Sequence, residues 1–422
     1  MNQKTALEIL KLGHNVFLTG AAGSGKTYLL NQFINYLKNS GVSAAVTAST
    51  GIAATHMNGI TIHSWSGLGI RDKITEKDLR KLSRNQRVQR RMEKTKVLIV
   101  DEISMLHAHQ LDNVDKICRF LKDEPFIPFG GLQVVLCGDF FQLPPVQKNR
   151  NEETNFAYAS RVWQEMNLKI CYLEEQHRQK DDRMLELLND IRGAKVGEKT
   201  WEIILSRENK EIFGIDQPTK LFTHNVDVDG INNRELGKIK EKSLGYAMRA
   251  RGNKKLVEFL KQSCLAPEKL ILKKGARVMF VKNNFDEGYV NGTVGNVIGF
   301  FPENNFPIVR TLQGRKIIVS PAVWEVLEDD VALARIKQIP LRLAWAITVH
   351  KSQGMSLDAA EIDLGKSFKY GMGYVALSRV RKLSGIKLLG INEMALEVNE
   401  KIYELDQKLI MLSKEVEREI EK

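Results

Sequence analysis

The residues best placed to do chemistry are Gly20 to Thr27, which read GAAGSGKT. The apolar run Asn15-Val16-Phe17-Leu18 leads into them and a helical stretch, Tyr28 to Lys38, follows. Strand, glycine-rich turn and helix in that order make a phosphate cradle. Gly20, Gly23 and Gly25 let the backbone curl so that successive N–H groups point inward, and the helix N-terminus adds partial positive charge. Ala21, Ala22, Ser24 and Tyr28 complete the lining. Lys26 is long enough to reach terminal phosphates, and the Thr27 hydroxyl is a magnesium ligand of the right hardness. The spacing points to a nucleoside triphosphate rather than to a plain structural turn.

Two further strand ends carry matching groups. After Lys96-Val-Leu-Ile-Val100 come Asp101 and Glu102. The aspartate suits a magnesium ion held through water, and the glutamate suits a base that orients or deprotonates an attacking water. After Gln133-Val-Val-Leu-Cys-Gly138 comes Asp-Phe-Phe-Gln-Leu-Pro-Pro, in which Gln142 is positioned to sense a γ-phosphate and the prolines stiffen the turn. Hydrolysis also needs cationic charge from outside the loop. Arg178 (EEQHRQ) and Arg379 (YVALSRV) are the candidates, a surface ion pair being the alternative for either one alone.

These groups need a scaffold of alternating strands and helices. Strand-like runs end at Thr19, near Thr47, at Val100 and at Gly138, which predicts a parallel sheet covered on both faces. A second α/β set is split, its early part KICYLEEQ, a helix around Met184 to Ile191 and KLFTHN, its later part LAWAITVH, AAEIDL and GIKLLG. Between its halves lie short β-rich runs with a turn signal at Asn291-Gly292, read as an inserted module ending in a small β-barrel. The expected domains are 1–165, with a basic insertion at 66–96; 166–225 with 340–395; an inserted module at 226–339; and a C-terminal amphipathic helix at 396–422. On that last helix Ile402, Leu405, Leu409, Leu412, Val416 and Ile420 form a stripe expected to dock on the second domain, with a partner-binding or self-associating helix as the alternative.

Composition bounds the class. The chain has 422 residues, 43% hydrophobic and 27% charged, as in ordinary soluble globular proteins. No apolar stretch approaches a membrane span and the polar start is no secretion signal, so an intracellular enzyme is expected. Cys118, Cys137, Cys171 and Cys264 lack any CxxC pairing and read as small core residues. The net charge of +12 suggests an anionic partner. Residues 71–96 hold eleven basic and four acidic side chains, and Arg80, Arg84, Arg87 and Arg91 fall at helical spacing, with Leu79, Leu82 and Met92 available for packing. That face suits phosphates near a nucleic-acid path, or is simply solvated.

The ordered set GAAGSGKT, TASTGIAA, TIHSW, VLIVDEISML, PFGGLQVVLCGDFFQLPPV, EEQHRQ, LAWAITVHKSQGMS and YVALSRV resembles superfamily 1B helicases related to RecD. The stretch Met105 to Gly131, with PFGG at its end, is similar to the signature of the petite-integration-frequency (PIF) family. The resemblance implies two RecA-like P-loop NTPase domains, with ATP and Mg2+ in the cleft between them, and 5′→3′ translocation on single-stranded DNA with unwinding of duplex DNA. It implies that Gln3 recognises adenine, that Lys26, Thr27, Asp101, Glu102, Gln142, Arg178 and Arg379 take the roles above, and that Gly354 and Tyr374 lie near the nucleotide. It assigns Thr50, His63, Ser64, Thr348, His350, Lys351 and Ser352 to the DNA backbone, with Asn283 and Asn291 of the inserted barrel also near DNA. The basic 71–96 segment takes the place of a strand-separating wedge.

The implied partners are single-stranded DNA and single/double-strand junctions, for a monomer without membrane attachment. The implied compartment is the cytoplasm or nucleoid of a bacterium or phage host, or the nucleus or mitochondrion of a eukaryote. The implied processes are DNA replication, repair, recombination and telomere maintenance. Phe140, Phe141 and Trp65 are either base-stacking or core residues. A RecD-like nuclease subunit and an ATP-switched, non-unwinding DNA binder stay open as other classes.

Overall fold

A computed structural model describes residues 1–420 apart from 58, 70, 146–154, 180, 214–217, 224–227, 285 and 329–330. The chain divides into two compact units, Met1–His177 together with the chain from Glu400 onward, and Arg178–Asn399.

In the first unit, α1 (Gln3–Lys11) is capped by the Asn2 side chain, which accepts from the Thr5 N–H. Then follow β1 (Val16–Gly20), α2 (Lys26–Asn39), β2 (Ala44–Ala48), β3 (Ile60–Thr61), β4 (Val97–Asp101), β5 (Gln133–Cys137) and β6 (Lys169–Leu173). All six strands pair in parallel, in the order β3-β2-β4-β5-β1-β6. The inner strands are continuous apolar runs because both sheet faces are covered. The four strands read from the sequence are where they were expected. KICYL is not: as β6 it pairs residue for residue with β1, so it belongs to the first sheet and not to the second α/β set.

The C-terminal helix Glu400–Ile420 also departs from expectation, packing on β6 of the first unit rather than on the second domain. Its buried face is Ile402, Asp406, Leu409, Ser413 and Val416, while Leu412 and Ile420 of the expected stripe are exposed. The cause is the edge strand. The Tyr172 N–H of β6 donates to Ser413 Oγ at 3.0 Å, and the Tyr172 hydroxyl donates to Asp406, 3.1 Å from Oδ1. Polar positions that satisfy an exposed strand edge displace a purely apolar stripe.

The basic segment is two helices, Glu76–Ser83 and Gln86–Lys94, not one. Asn85 caps the second by accepting from the Arg87 N–H, so the four arginines do not share one continuous face. Leu79, Leu82 and Met92 pack inward as expected, and Arg91 turns back to donate to the Ser64 carbonyl at 3.4 Å. Phe140, Phe141 and Trp65 are core residues. Phe140 lies in a ring cluster with Phe17, Phe156, Tyr158 and Trp163, in which Phe17 and Trp163 meet edge-on at 4.9 Å.

The second unit opens with the helices Asp182–Arg192 and Glu198–Leu205; its first strand, β7 (Thr219–Phe222), is followed by ten antiparallel strands: β8 (Ser243–Ala247), β9 (Arg249–Gly252), β10 (Lys269–Lys273), β11 (Arg277–Phe280), β12 (Val294–Phe300), β13 (Pro307–Thr311), β14 (Lys316–Ile318), β15 (Ala322–Glu328), β16 (Val331–Gln338) and β17 (Leu341–Leu343). The chain then resumes the parallel sheet with β18 (Ala346–Thr348), β19 (Ala360–Leu364) and β20 (Ile386–Ile391), ordered β18-β7-β19-β20. The inserted strands form sheets of five, three and two, the five-stranded one in the order β14-β13-β12-β11-β17. Asn291-Gly292 makes the expected turn, closed by Thr293 N–H donating to the Val290 carbonyl, with Gly292 at φ +93°.

Candidate functional site

Strand order decides what meets at the carboxyl edge of the first sheet. β4, β5 and β1 are neighbours, so Asp101-Glu102, the turn after Cys137 and the loop Gly20–Thr27 leave the sheet side by side.

The loop has the geometry that its glycines permit. Gly20, Gly23 and Gly25 sit at φ +139°, +91° and +85°. A Cβ on Gly20 would fall 2.5 Å from the Leu173 carbonyl oxygen of β6, and one on Gly25 would meet the Gln3 side chain. Gln3 Nε2 donates to the Ser24 carbonyl at 3.3 Å and lies 3.1 Å from His177 Nε2. The His177 backbone N–H donates to the Gly23 carbonyl at 3.0 Å. Lys26 donates to the carbonyls of Gly20 and Ala21 at 2.8 and 2.9 Å, folding its ammonium over the cradle. Thr27 and Tyr28, in the first turn of α2, are exposed.

Asp101 is buried at the end of β4, and burial pushes its carboxyl above the ordinary carboxylate range. Bonds from Cys137 and from the Glu102 N–H, and the charge of Lys26, oppose that shift. Glu102 takes a left-handed backbone, φ +53°, and its carbonyl accepts from Ser49 Oγ at 2.6 Å. After β5, the buried Asp139 accepts from the Phe141 N–H at 3.2 Å and from Gln142 Nε2 at 3.2 Å, fixing the Gln142 side chain. Gly138 is required there, because a Cβ would press on Ile103 at 2.9 Å.

Within the second unit, Arg379 is buried at the end of the helix Met372–Ser378, its Nε donating to the Val375 carbonyl and its Nη2 to Ser378 Oγ, both at 3.0 Å. Arg178 Nη1 donates to the Ser378 carbonyl at 3.1 Å. Sequence reasoning missed Gln179. Its Nε2 donates to the carbonyls of Ser378 at 2.9 Å and Val380 at 3.4 Å, gripping the chain on either side of Arg379. It also missed Arg192, which donates to the buried Tyr374 hydroxyl at 3.3 Å. Nothing in spacing marks either residue. Gln179 was legible only as the neighbour of Arg178.

The groups assigned to DNA divide by exposure. Asn283 and His350 are exposed, and Thr50, His63, Ser64, Thr348 and Lys351 are half-buried; Gly354, assigned to the nucleotide, is exposed. Burial holds the His63 imidazole below its ordinary range, against a hydrogen bond with the Gln110 side chain, with His107 and His109 adding to the depression. Ser352 is buried and its hydroxyl donates to the Val349 carbonyl at 2.8 Å. Asn291 is buried too, its backbone N–H donating to Asn283 Oδ1 at 2.8 Å.

Residues 2–192 match the profile of PIF1-like helicases and residues 255–300 that of the DNA helicase Pif1 2B domain. The chain is 45% identical, over its whole length, to an ATP-dependent DNA helicase Pif1 of Psychrobacter sp., covering 72% of that protein. It belongs to the PIF1-like helicase family. An ATP-dependent DNA helicase PIF1 of Xenopus laevis is 37% identical over 94% of this chain, which spans 62% of that protein's length. The crystal structure of Bacteroides sp. Pif1 in complex with ADP-AlF4 superposes with a TM-score of 0.81 at 31% identity, covering 96% of each chain. The two parallel sheets are thus two RecA-like domains, as in the Pif1 structures that match, and the antiparallel strands are the insertion in the second. No helix among the described residues is long and apolar enough to cross a membrane.

Proposed function

We infer that this PIF1-like helicase hydrolyses ATP to translocate 5′→3′ on single-stranded DNA and to open duplex DNA. The observation that carries the reading is the adjacency of β4, β5 and β1, which gathers the phosphate loop, Asp101-Glu102 and Gln142 at one sheet edge. The backbone N–H groups of the loop hold the phosphates, Lys26 exchanges its two carbonyl partners for phosphate oxygens, and Glu102 orients or deprotonates the attacking water. Gln3, with its amide already on the loop, selects adenine.

Thr27 and Asp101 fit a magnesium ion. They offer a hydroxyl and a carboxylate, both hard oxygen donors, and a divalent cation relieves the penalty of burying the Asp101 charge. Bound there, the metal supplies charge neutralisation on the phosphates. Arg178 and Arg379 supply cationic charge to the phosphoryl group, Gly354 and Tyr374 lie near the nucleotide, and Thr50, His63, Ser64, Asn283, Asn291, Thr348, His350, Lys351 and Ser352 hold the DNA strand. For Ser352 and Asn291 the buried side chains favour contact through the backbone. Relatives support DNA as the track, since a Bacteroides Pif1 was crystallised bound to single-stranded DNA.

The test is strand displacement on duplexes carrying a 5′ or a 3′ tail, with Lys26→Ala as the hydrolysis-dead control. Unwinding only of the 5′-tailed substrate, abolished in Lys26→Ala while DNA binding persists, is expected. Normal ATP turnover in that variant, or equal unwinding from both tails, sinks the assignment.

A further inference from the structure

The three-stranded sheet β15-β16-β9 carries an electrostatic arrangement that folding alone disfavours. In the antiparallel register, Arg251 of β9 stands opposite Arg335 of β16 and Arg249 opposite Lys337. Directly paired residues share a face with Cβ atoms about 5 Å apart, where like charges destabilise the sheet. All four are exposed, while Ala334, Ile336 and Gln338 alternate with them into the core. Among the described residues one counter-ion is present on this face: Glu325 of β15, 2.7 Å from Arg335 Nη2. The run continues into the helix Lys254–Ser263, whose first turn holds Lys254 and Lys255 and no acid, against the helix dipole. Arg249, Arg251, Lys254, Lys255 and Lys337 form no ion pair with a described residue.

Charge on an exposed strand is often protection of a sheet edge. That explanation reaches β9 only. Arg335 and Lys337 lie on β16, the central strand, which has no free edge. Local rules broken twice, in the register and at the helix start, mark a surface kept for an external partner. That partner must be polyanionic. The face contributes no aromatic side chain, since Trp324 points into the core, so the stacking platform that single strands use is missing. A flat row of cations fits a phosphate backbone whose bases are stacked inside a duplex.

We propose that the outer face of β9 and β16 in the inserted module, built on Arg249, Arg251 and Lys337, binds the phosphate backbone of duplex DNA. The proposal rests on DNA being the substrate of this chain, and it adds a duplex-holding surface separate from the residues assigned to the tracked strand.

The experiment compares the full chain with the triple variant Arg249→Ser, Arg251→Ser, Lys337→Ser. Binding to a blunt duplex and to oligothymidine is titrated between about 50 and 200 mM salt, where each phosphate contact contributes about 0.9 to the log–log slope for duplex. The duplex slope is expected to fall by about 2–3, and affinity at 100 mM salt by roughly 10-fold or more. Oligothymidine affinity and oligothymidine-stimulated ATPase are expected to stay within about twofold, and the melting temperature to hold or rise as repulsion is removed. The control Lys408→Ser, Lys414→Ser, Arg418→Ser, on the C-terminal helix, is expected to leave the slope unchanged.

An unchanged duplex slope, an equal fall in the control, or an equal loss on oligothymidine overturns the proposal. If the triple variant does not fold, Lys254→Ser, Lys255→Ser, Lys337→Ser is read against the same outcomes. Absent DNA-stimulated ATPase in the unmodified chain would instead remove the helicase reading itself.

Discussion

Replacing Gln179 by leucine tests whether the arginine at 379 works from a fixed backbone. Gln179 is 2% exposed, and its amide can sit only one way round. The reverse orientation would set its oxygen against the two carbonyl oxygens it now serves. Leucine fills nearly the same space and donates nothing. Ser378 keeps the Arg178 donor on its carbonyl, whereas Val380 loses the Gln179 donor. One buried acceptor left short costs about 1–3 kcal/mol, too little to unfold a domain worth about 5–15 kcal/mol. The larger effect is expected in catalysis. An arginine on the transferring phosphoryl group is worth about 10³–10⁵ in rate, and a shift of about 1 Å in such a group costs about 10²-fold. DNA-stimulated kcat should therefore fall about 30- to 100-fold, with the affinity for a fluorescent ATP analogue within about threefold. Because Gln179 acts through Arg379, the double variant with Arg379→Ala should be no slower than Arg379→Ala alone. Independent, multiplying losses in that cycle, or a kcat within twofold of the unmodified chain, would refute the reasoning.

Gly20→Ala places a methyl 2.5 Å from the Leu173 carbonyl oxygen at φ +139°, so the loop must move and nucleotide affinity should drop at least 10-fold, read by equilibrium titration, with oligothymidine binding retained. His63 titrates below its ordinary range when folded, so on acidification the unfolded chain takes up the proton first. The stability present above about pH 6.5 is thus lost as pH falls through the folded value. The drop in melting temperature between pH 7.5 and 5.5 should be smaller in His63→Gln; an identical drop in both proteins counts against it. Asp101 and Asp115, raised by burial, give the opposite slope and are common to both proteins, so the comparison between the two isolates the histidine. Arg277 is buried on β11 with no hydrogen bond to its Nε or Nη2 among the described residues, and burial pulls it down to about 10. Arg277→Met should raise urea resistance of the second unit by about 1–4 kcal/mol, the gain typical when a poorly paired buried charge becomes apolar; a destabilised variant would show a partner for that charge.

What the sequence disclosed follows from how local each cause is. The phosphate loop is legible because its glycines answer to their own φ angles, and Lys26 and Thr27 sit at the fixed start of α2. The runs that became β1, β4 and β5 are legible because burial on both faces leaves no polar alternation. The address of a strand is another matter. KICYL looks the same whichever sheet receives it, and only pairing with β1 assigns it to the first domain. The C-terminal helix fails for the same reason. Its leucines promise one buried stripe, yet the side that packs is chosen by two hydrogen bonds from Tyr172, a residue more than two hundred positions away. The break at Asn85 was visible in principle, since a capping residue interrupts the arginine spacing, but a periodic charge pattern outweighed a single asparagine.

The unread part of the site has this same non-local character. Gln179 matters through carbonyls on Ser378 and Val380, and the β9–β16 cation pairs exist only once residues 249–251 and 335–337 are placed in register. Chemistry-bearing side chains announce themselves by type and spacing. The groups that hold them, and the faces on which charges accumulate, depend on which strands become neighbours, so mutagenesis guided by motifs alone would pass over both Gln179 and the cation ladder.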